Sequence, residues 1–153
     1  MKPCDLVEML AARKARAVAA LLEDGIVIGA DTVVVLDNQI LGKPADLNDA
    51  VAMLRRLQGK SHEVYTGVAL ADAGRGKIIV DHEKTKVYFK PLEEAEIRKY
   101  VSTGEPLDKA GAYAVQGLAA MFITRLEGCY TNVVGLPLAK LADMLQEFGY
   151  RVL

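Results

Sequence analysis

Tryptophan is absent from the chain, cysteine occurs only at Cys4 and Cys129, and aromatic residues make up 6% of the sequence. The two cysteines stand at no metal-ligand spacing and give no disulfide framework. The missing tryptophan excludes nothing. An excess of charge of either sign is also lacking, the formal net charge being −1. No global basic field therefore recruits nucleic acid or an anionic membrane, and any anionic ligand must be held by locally placed lysines and arginines. No run approaches the ~20 apolar residues of a membrane span. The opening Met-Lys-Pro-Cys-Asp-Leu turns amphipathic at once, without a signal-peptide apolar region. A cytoplasmic protein is expected, with neither a membrane nor a nucleic-acid polymer as partner. Internal repeats, low-complexity tracts and linkers are absent.

What is present suits one folded domain over residues 1–153, with 52% hydrophobic and 25% charged residues. Residues 26–44 carry the strongest signal. They read as a buried β-strand interrupted at its middle by Gly29, Ala30, Asp31 and Thr32, then a hairpin at Asp37-Asn38-Gln39, then a Gly-Lys-Pro loop holding Lys43. A carboxylate has no cheap place in such a run unless it is paired, binds a metal or faces a cleft. The small Gly29 and Ala30 before it let another backbone or a ligand come close.

Around this stretch, residues 5–24 read as an amphipathic helix with Asp5 as N-cap and Leu6, Leu10, Ala17, Val18 and Leu21 facing inward. Lys14 falls inside that stripe. The residues alone leave two readings open: an ammonium that snorkels past the core edge, or one aimed into a cleft containing anions. Asp46 caps a second helix to about Gln58, with Leu47, Val51, Leu54 and Leu57 inward. A core strand within residues 61–72 and strands over 78–80 and 83–89 follow, joined by a turn at 73–76. Pro91 opens a third helix that ends near Gly104. Residues 104–117 hold small residues, an Asp108-Lys109 pair and a strand containing Gln116. A strand at 121–123, a turn at 126–130 and a last helix over 138–148 complete the chain. Helices interleaved with strands and hairpins imply an α/β fold with a mixed central sheet flanked by helices.

Setting aside surface charge leaves Lys14, Asp31, Thr32, Lys43, Asp108, Lys109 and Gln116. Lysines around one or two carboxylates, without net basic charge or an aromatic platform, suit a small phosphorylated ligand better than a nucleic-acid strand. Lysine offers point charges to phosphate oxygens, and a neighbouring carboxylate can hold Mg²⁺ or orient and deprotonate a water. A metal-dependent hydrolase of phosphate esters or anhydrides is the first expectation. No Walker A loop and no Gly-x-Ser-x-Gly elbow is present. His62 and His82 are isolated and read as surface or strand histidines rather than ligands or bases.

The order of motifs carries the reading further. Gly-Ala-Asp-Thr-Val-Val (29–34), Leu-Gly-Lys-Pro (41–44), Met-Leu-Arg-Arg-Leu (53–57) and His-Glu-Val-Tyr-Thr-Gly-Val (62–68) are followed by Glu-Pro-Leu-Asp-Lys-Ala-Gly-Ala-Tyr (105–113), Val-Gln-Gly (115–117) and Asn-Val-Val-Gly-Leu-Pro (132–137). In this order they resemble the Maf family of nucleoside triphosphate pyrophosphatases, over nearly the whole chain. The resemblance implies an inosine-triphosphatase-like fold. It also implies hydrolysis of a nucleoside triphosphate to monophosphate and pyrophosphate with a divalent cation, Mg²⁺ or Mn²⁺. Asp31 matches the family's proton acceptor, and Lys14 and Lys43 match its phosphate-binding lysines. Thr32 and Gln116 match positions that separate subgroups, and their combination resembles the subgroup acting on dTTP and UTP. Asp108 and Lys109 are family-typical, as an ion pair or as ligand contacts.

The resemblance also implies a first strand ending in Ser-x-Ser-x-Arg-Arg, then a helix and an acidic segment with a glutamate. The chain opens at Met1-Lys-Pro-Cys, and the expectation is an N-terminally shortened member whose sheet lacks that strand. A homodimer is expected from the apolar surface this would expose. The alternative function is a non-catalytic nucleotide-binding or cell-division regulatory protein, because the phosphate-gripping loop would be absent.

Overall fold

A computed structural model describes residues 1–153. Strand β1 (Ile26–Leu36) runs without a break through Gly29, Ala30, Asp31 and Thr32, where an interruption was expected. It turns at Asp37 and Asn38, whose φ values of 49° and 64° are the left-handed pair of a tight hairpin. Strand β2 (Gln39–Leu41) then pairs antiparallel, Leu36 against Gln39. Strands β3 (Ser61–Asp72), β4 (Lys77–Phe89) and β5 (Ile123–Glu127) complete a five-stranded sheet in the order β2-β1-β3-β4-β5. Thr32 meets Thr66 through their hydroxyls, and the Ala73 N–H donates to the Gly25 carbonyl. Those two contacts can coexist only if β1 and β3 run antiparallel. With β3 and β4 joined by a short turn and β4 antiparallel to β5, the sheet is antiparallel throughout rather than mixed. The α/β class, with helices flanking a central sheet, holds.

The chain divides into two compact units. The first comprises Met1–Thr32, Tyr65–Lys84 and Cys129–Leu153. Its helix α1 spans Pro3–Ala19 with Lys2, not Asp5, at the N-cap, and Val7, Ala11, Ala12 and Ala15 form the buried stripe. The expected stripe is rotated away from the sheet; Val18 and Leu21 are exposed. The cause lies in two glycines. A Cβ at Gly29 would overlap the Ala11 carbonyl oxygen and lie 2.9 Å from the Ala15 nitrogen, and one at Gly67 would overlap the Val7 carbonyl. The helix is seated backbone to backbone, and only its alanine face is slim enough for that approach. On the other side of β3, Val68 and Leu70 pack against Leu141 and Met144 of α5 (Leu138–Glu147) and against Phe148 at its C-cap. The short α4 (Tyr130–Val134) begins at the last residue of the turn expected over 126–130, and β5 takes up the first two residues of that turn.

The second unit comprises Val33–Val64 and Thr85–Gly128. Helix α2 (Leu47–Leu57) is capped by Asp46, whose carboxylate accepts the Asp49 N–H at 2.8 Å, and it buries Ala50, Val51, Leu54 and Leu57 while Leu47 is exposed. Helix α3 (Glu94–Ser102) starts three residues after Pro91 with a capping box between Glu93 and Glu96. Gln116, expected in a strand, lies in an exposed turn. Short 3₁₀ turns at Glu105–Asp108, Ala110–Ala112 and Leu118–Phe122 surround it, so β5 begins only at Ile123. Left-handed backbone at Gly111 and Ala112, φ 72° and 67°, breaks any extended run there. His62, Phe89 and Tyr113 form an edge-to-face aromatic cluster in this unit. No helix is long and apolar enough to cross a membrane.

Candidate active site

Alternation along β1 decides what Asp31 meets. Gly29 faces α1, so Asp31, two residues on, shares that face, and Thr32 takes the opposite one. Gly67 on β3 also faces α1, where the Val7 carbonyl fills the place a side chain would take. Lys14 projects from the rim of α1, three residues past Ala11. Its Nζ donates to Asp31 Oδ1 at 2.6 Å and to the Ala30 carbonyl at 3.2 Å. The lysine side chain is 56% exposed and the aspartate side chain 18%. The ammonium thus meets a carboxylate of the sheet. It reaches the anion from the exposed edge of the helix, not from its buried stripe. Asp31 is half-buried and paired, as a carboxylate in an apolar strand requires.

Thr32 engages a different set of groups. Its hydroxyl lies 2.8 Å from that of Thr66, which donates to the Asn132 carbonyl at 3.2 Å. Thr66 has one proton, so Thr32 donates to Thr66 and keeps only acceptor capacity for anything outside the fold. Reading the residues did not single out Thr66 or Asn132. A fully buried hydroxyl inside the apolar run 64–70 was the available signal.

Lys43 and Gln116 belong to the second unit and are both exposed. Lys43 follows Gly42, whose carbonyl accepts the Gly111 N–H at 3.1 Å, so the Gly-Lys-Pro loop is tied to the Asp-Lys-Ala-Gly segment. Lys109 Nζ lies 3.1 Å from Asp108 Oδ1, and both side chains are exposed. The bond from Lys109 is the main cause holding the Asp108 carboxyl below the ordinary carboxylate range, and the Lys43 charge adds to it. Asp108 and Lys109 thus form a surface ion pair. Gln116 occupies a turn in which the Gly117 N–H donates to the Ala114 carbonyl at 3.1 Å. A shallow groove of about 290 Å³ in this unit, walled by Glu96, Lys99, Tyr100, Thr103, Leu118 and Met121, contains none of the expected ligand-binding residues.

His62 is 2% exposed, with Nε2 2.6 Å from the Tyr113 hydroxyl. Burial pushes its pKa down to about 4, so it stands neutral in the core as a strand histidine. No three His, Cys, Asp or Glu side chains are grouped so as to hold a metal ion. The residues present do not fit a resident ion enclosed by protein. One accessible carboxylate suits Mg²⁺ carried on substrate phosphates, which keeps most of its other ligands as water and phosphate oxygen.

The family model described as "Maf-like protein" matches residues 1–148. The chain is 67% identical over 153 residues to a dTTP/UTP pyrophosphatase of Pelotomaculum thermopropionicum, covering all of this chain and 80% of that protein. It is 58% identical over 147 residues to the dTTP/UTP pyrophosphatase of Desulforamulus reducens, covering 96% of this chain and 77% of the relative. With the dTTP/UTP pyrophosphatase of Symbiobacterium thermophilum it shares 55% identity over 151 residues, 98% of this chain and 76% of the relative.

Proposed function

Because this chain belongs to the Maf family of Maf-like proteins, we propose that it hydrolyses dTTP and UTP to the nucleoside monophosphate and pyrophosphate. The relatives carry the name of a hydrolase with those substrates, which does not favour a non-catalytic nucleotide-binding role. The observation that carries the chemistry is the Lys14–Asp31 contact at 2.6 Å.

Asp31 acts as the proton acceptor. Lys14 engages Oδ1, and the second carboxylate oxygen serves to align and deprotonate the attacking water. Lys14 neutralises the carboxylate locally, so that a polyanion can approach it. With over half of its side chain exposed, it is free to turn toward a phosphate oxygen as substrate arrives. Lys43 contributes a second point charge to the phosphates. Thr32, left with acceptor lone pairs, and Gln116, with an amide that both donates and accepts, discriminate the base. The divalent ion, Mg²⁺ or Mn²⁺, comes with the triphosphate and lowers its charge. The reaction belongs to the cytoplasmic nucleotide pool, and the protein works as a homodimer.

The test is pyrophosphate release from dTTP and UTP with Mg²⁺, compared between the unaltered chain and Asp31→Asn. Release at multiple turnovers that vanishes in the variant is expected. An unaltered chain that releases none, or an Asp31→Asn protein that matches it, would overturn the reading.

A further inference from the structure

The turn that presents Gln116 is held at both ends by one pair of side chains. Helix α3 ends at Ser102, and Gly104, at φ 79°, reverses the chain so that Glu105 faces back onto Tyr100. The Tyr100 hydroxyl donates to Glu105 Oε2, and it accepts the Ala114 N–H at 3.4 Å. Glu105 Oε1 accepts the Leu118 N–H at 3.2 Å. The carboxylate lies so close to Gly117 that a Cβ there would overlap it. Ala114 opens the turn and Gly117 closes it, so the Tyr100–Glu105 pair grips the residues on either side of Gln116. Tyr100 is 4% exposed, and its ring packs edge-on against Phe122. The anchor is therefore fixed to the core, while the glutamine at the tip is exposed.

The geometry points to Glu105 and Tyr100 as positioning residues for base selection by Gln116; this inference rests on the dTTP/UTP reading above. The chemistry of the bases shows why position matters. Uracil and thymine present an N–H donor beside a carbonyl acceptor, and a glutamine amide complements both. Guanine presents the same donor beside the same acceptor on its six-membered ring. Hydrogen bonding to the amide therefore cannot separate UTP from GTP. The depth at which the amide is held can do so, because it decides whether one ring or two fit in front of it. A turn pinned by a buried tyrosine and a carboxylate fixes that depth. A loosened turn admits both.

Tyr100→Phe keeps the ring and its packing and removes the hydroxyl from the clamp. Glu105→Gln keeps the shape and replaces one acceptor oxygen by a donor. Both are compared with Gln116→Ala, using affinity for UTP and GTP by calorimetry and kcat and KM for pyrophosphate release from each. The expected result is a roughly tenfold fall in the UTP-to-GTP ratio in each clamp variant, the loss of one well-made hydrogen bond. The fall is expected in KM and affinity, with kcat for UTP unchanged. Combining Tyr100→Phe with Gln116→Ala should lower the ratio no further than Gln116→Ala alone, since the clamp acts only through the glutamine. Clamp variants that keep the UTP preference, lower kcat without changing the ratio, or add fully to Gln116→Ala would overturn the inference. An unaltered chain that releases no pyrophosphate would count against the hydrolytic reading alone, because the affinity ratios still judge the clamp.

Discussion

Asp31 stands in a sheet where glycines on two neighbouring strands admit the backbone of a helix, whereas Gln116 stands at the tip of a four-residue turn gripped by side-chain hydrogen bonds. The two supports suit different tasks. Proton abstraction needs a carboxylate held to a fraction of an ångström, and a strand locked by main-chain contact gives that. Recognition of a base needs a group that reaches into open space, and turns supply such positions on a firm scaffold. Within one fold, then, Asp31 is set by backbone packing and Gln116 by a small polar network.

Asp31→Asn tests the first support most severely. The amide keeps the shape and can still meet Lys14, but it cannot take a proton. A fall of about 10²–10⁴ in kcat is expected, read by pyrophosphate release, with thermal stability little changed. A protein that lost stability in step with activity would argue for a structural aspartate.

Acid should separate the two regions next. Unfolded, His62 takes its proton near 6.5; folded, burial delays this to about 4. Between those values the unfolded chain binds the extra proton, so stability falls as the pH drops below about 6.5. By pH 4 the loss reaches about 3 kcal/mol. Urea unfolding across this range should show the slope in the unaltered protein. His62→Gln, which cannot titrate but can still meet the Tyr113 hydroxyl, should flatten that part of the curve.

Gly67→Ala sharpens the contrast further. The new methyl overlaps the Val7 carbonyl and lies 2.8 Å from the Glu8 nitrogen, both backbone atoms. Destabilisation of about 1–3 kcal/mol is expected in denaturant unfolding, with reduced turnover as α1 shifts Lys14 off Asp31. Gly42→Ala, where nothing lies within 4 Å of the added carbon, should stay within about 0.5 kcal/mol. Among the changes expected to lower activity, the smallest effect belongs to Lys14→Gln. Losing one charge-assisted contact from an exposed side chain should lower kcat/KM roughly tenfold, and higher salt should narrow the gap.

Most elements of the fold could be read from residue patterns because their signals are local: Asp46 before an apolar period, Asp37-Asn38 between two apolar runs, Pro137 ahead of α5. The face of α1 could not. Leucines at helical spacing argued for one stripe, and the choice of the alanine stripe depended on Gly29 and Gly67, which stand on strands far along the chain. The region around Gln116 was misread as extended because small residues and glycines carry little periodic signal, and its shape comes from Glu105 and Tyr100. Asp31 and Lys14 were visible as polar exceptions in apolar surroundings. The chain from Thr32 through Thr66 to the Asn132 carbonyl needed three separate segments to be brought together before it could be seen.

Where a helix meets its sheet peptide group to peptide group, as α1 does at Gly29 and Gly67, there are no rotamers to shuffle. Repacking the sheet's opposite face, where Leu141 and Phe148 lie, would be absorbed by those side chains before it reached the ammonium and the acid. Variation in this protein can therefore accumulate beneath α5 while the Lys14–Asp31 spacing stays as the main chain dictates.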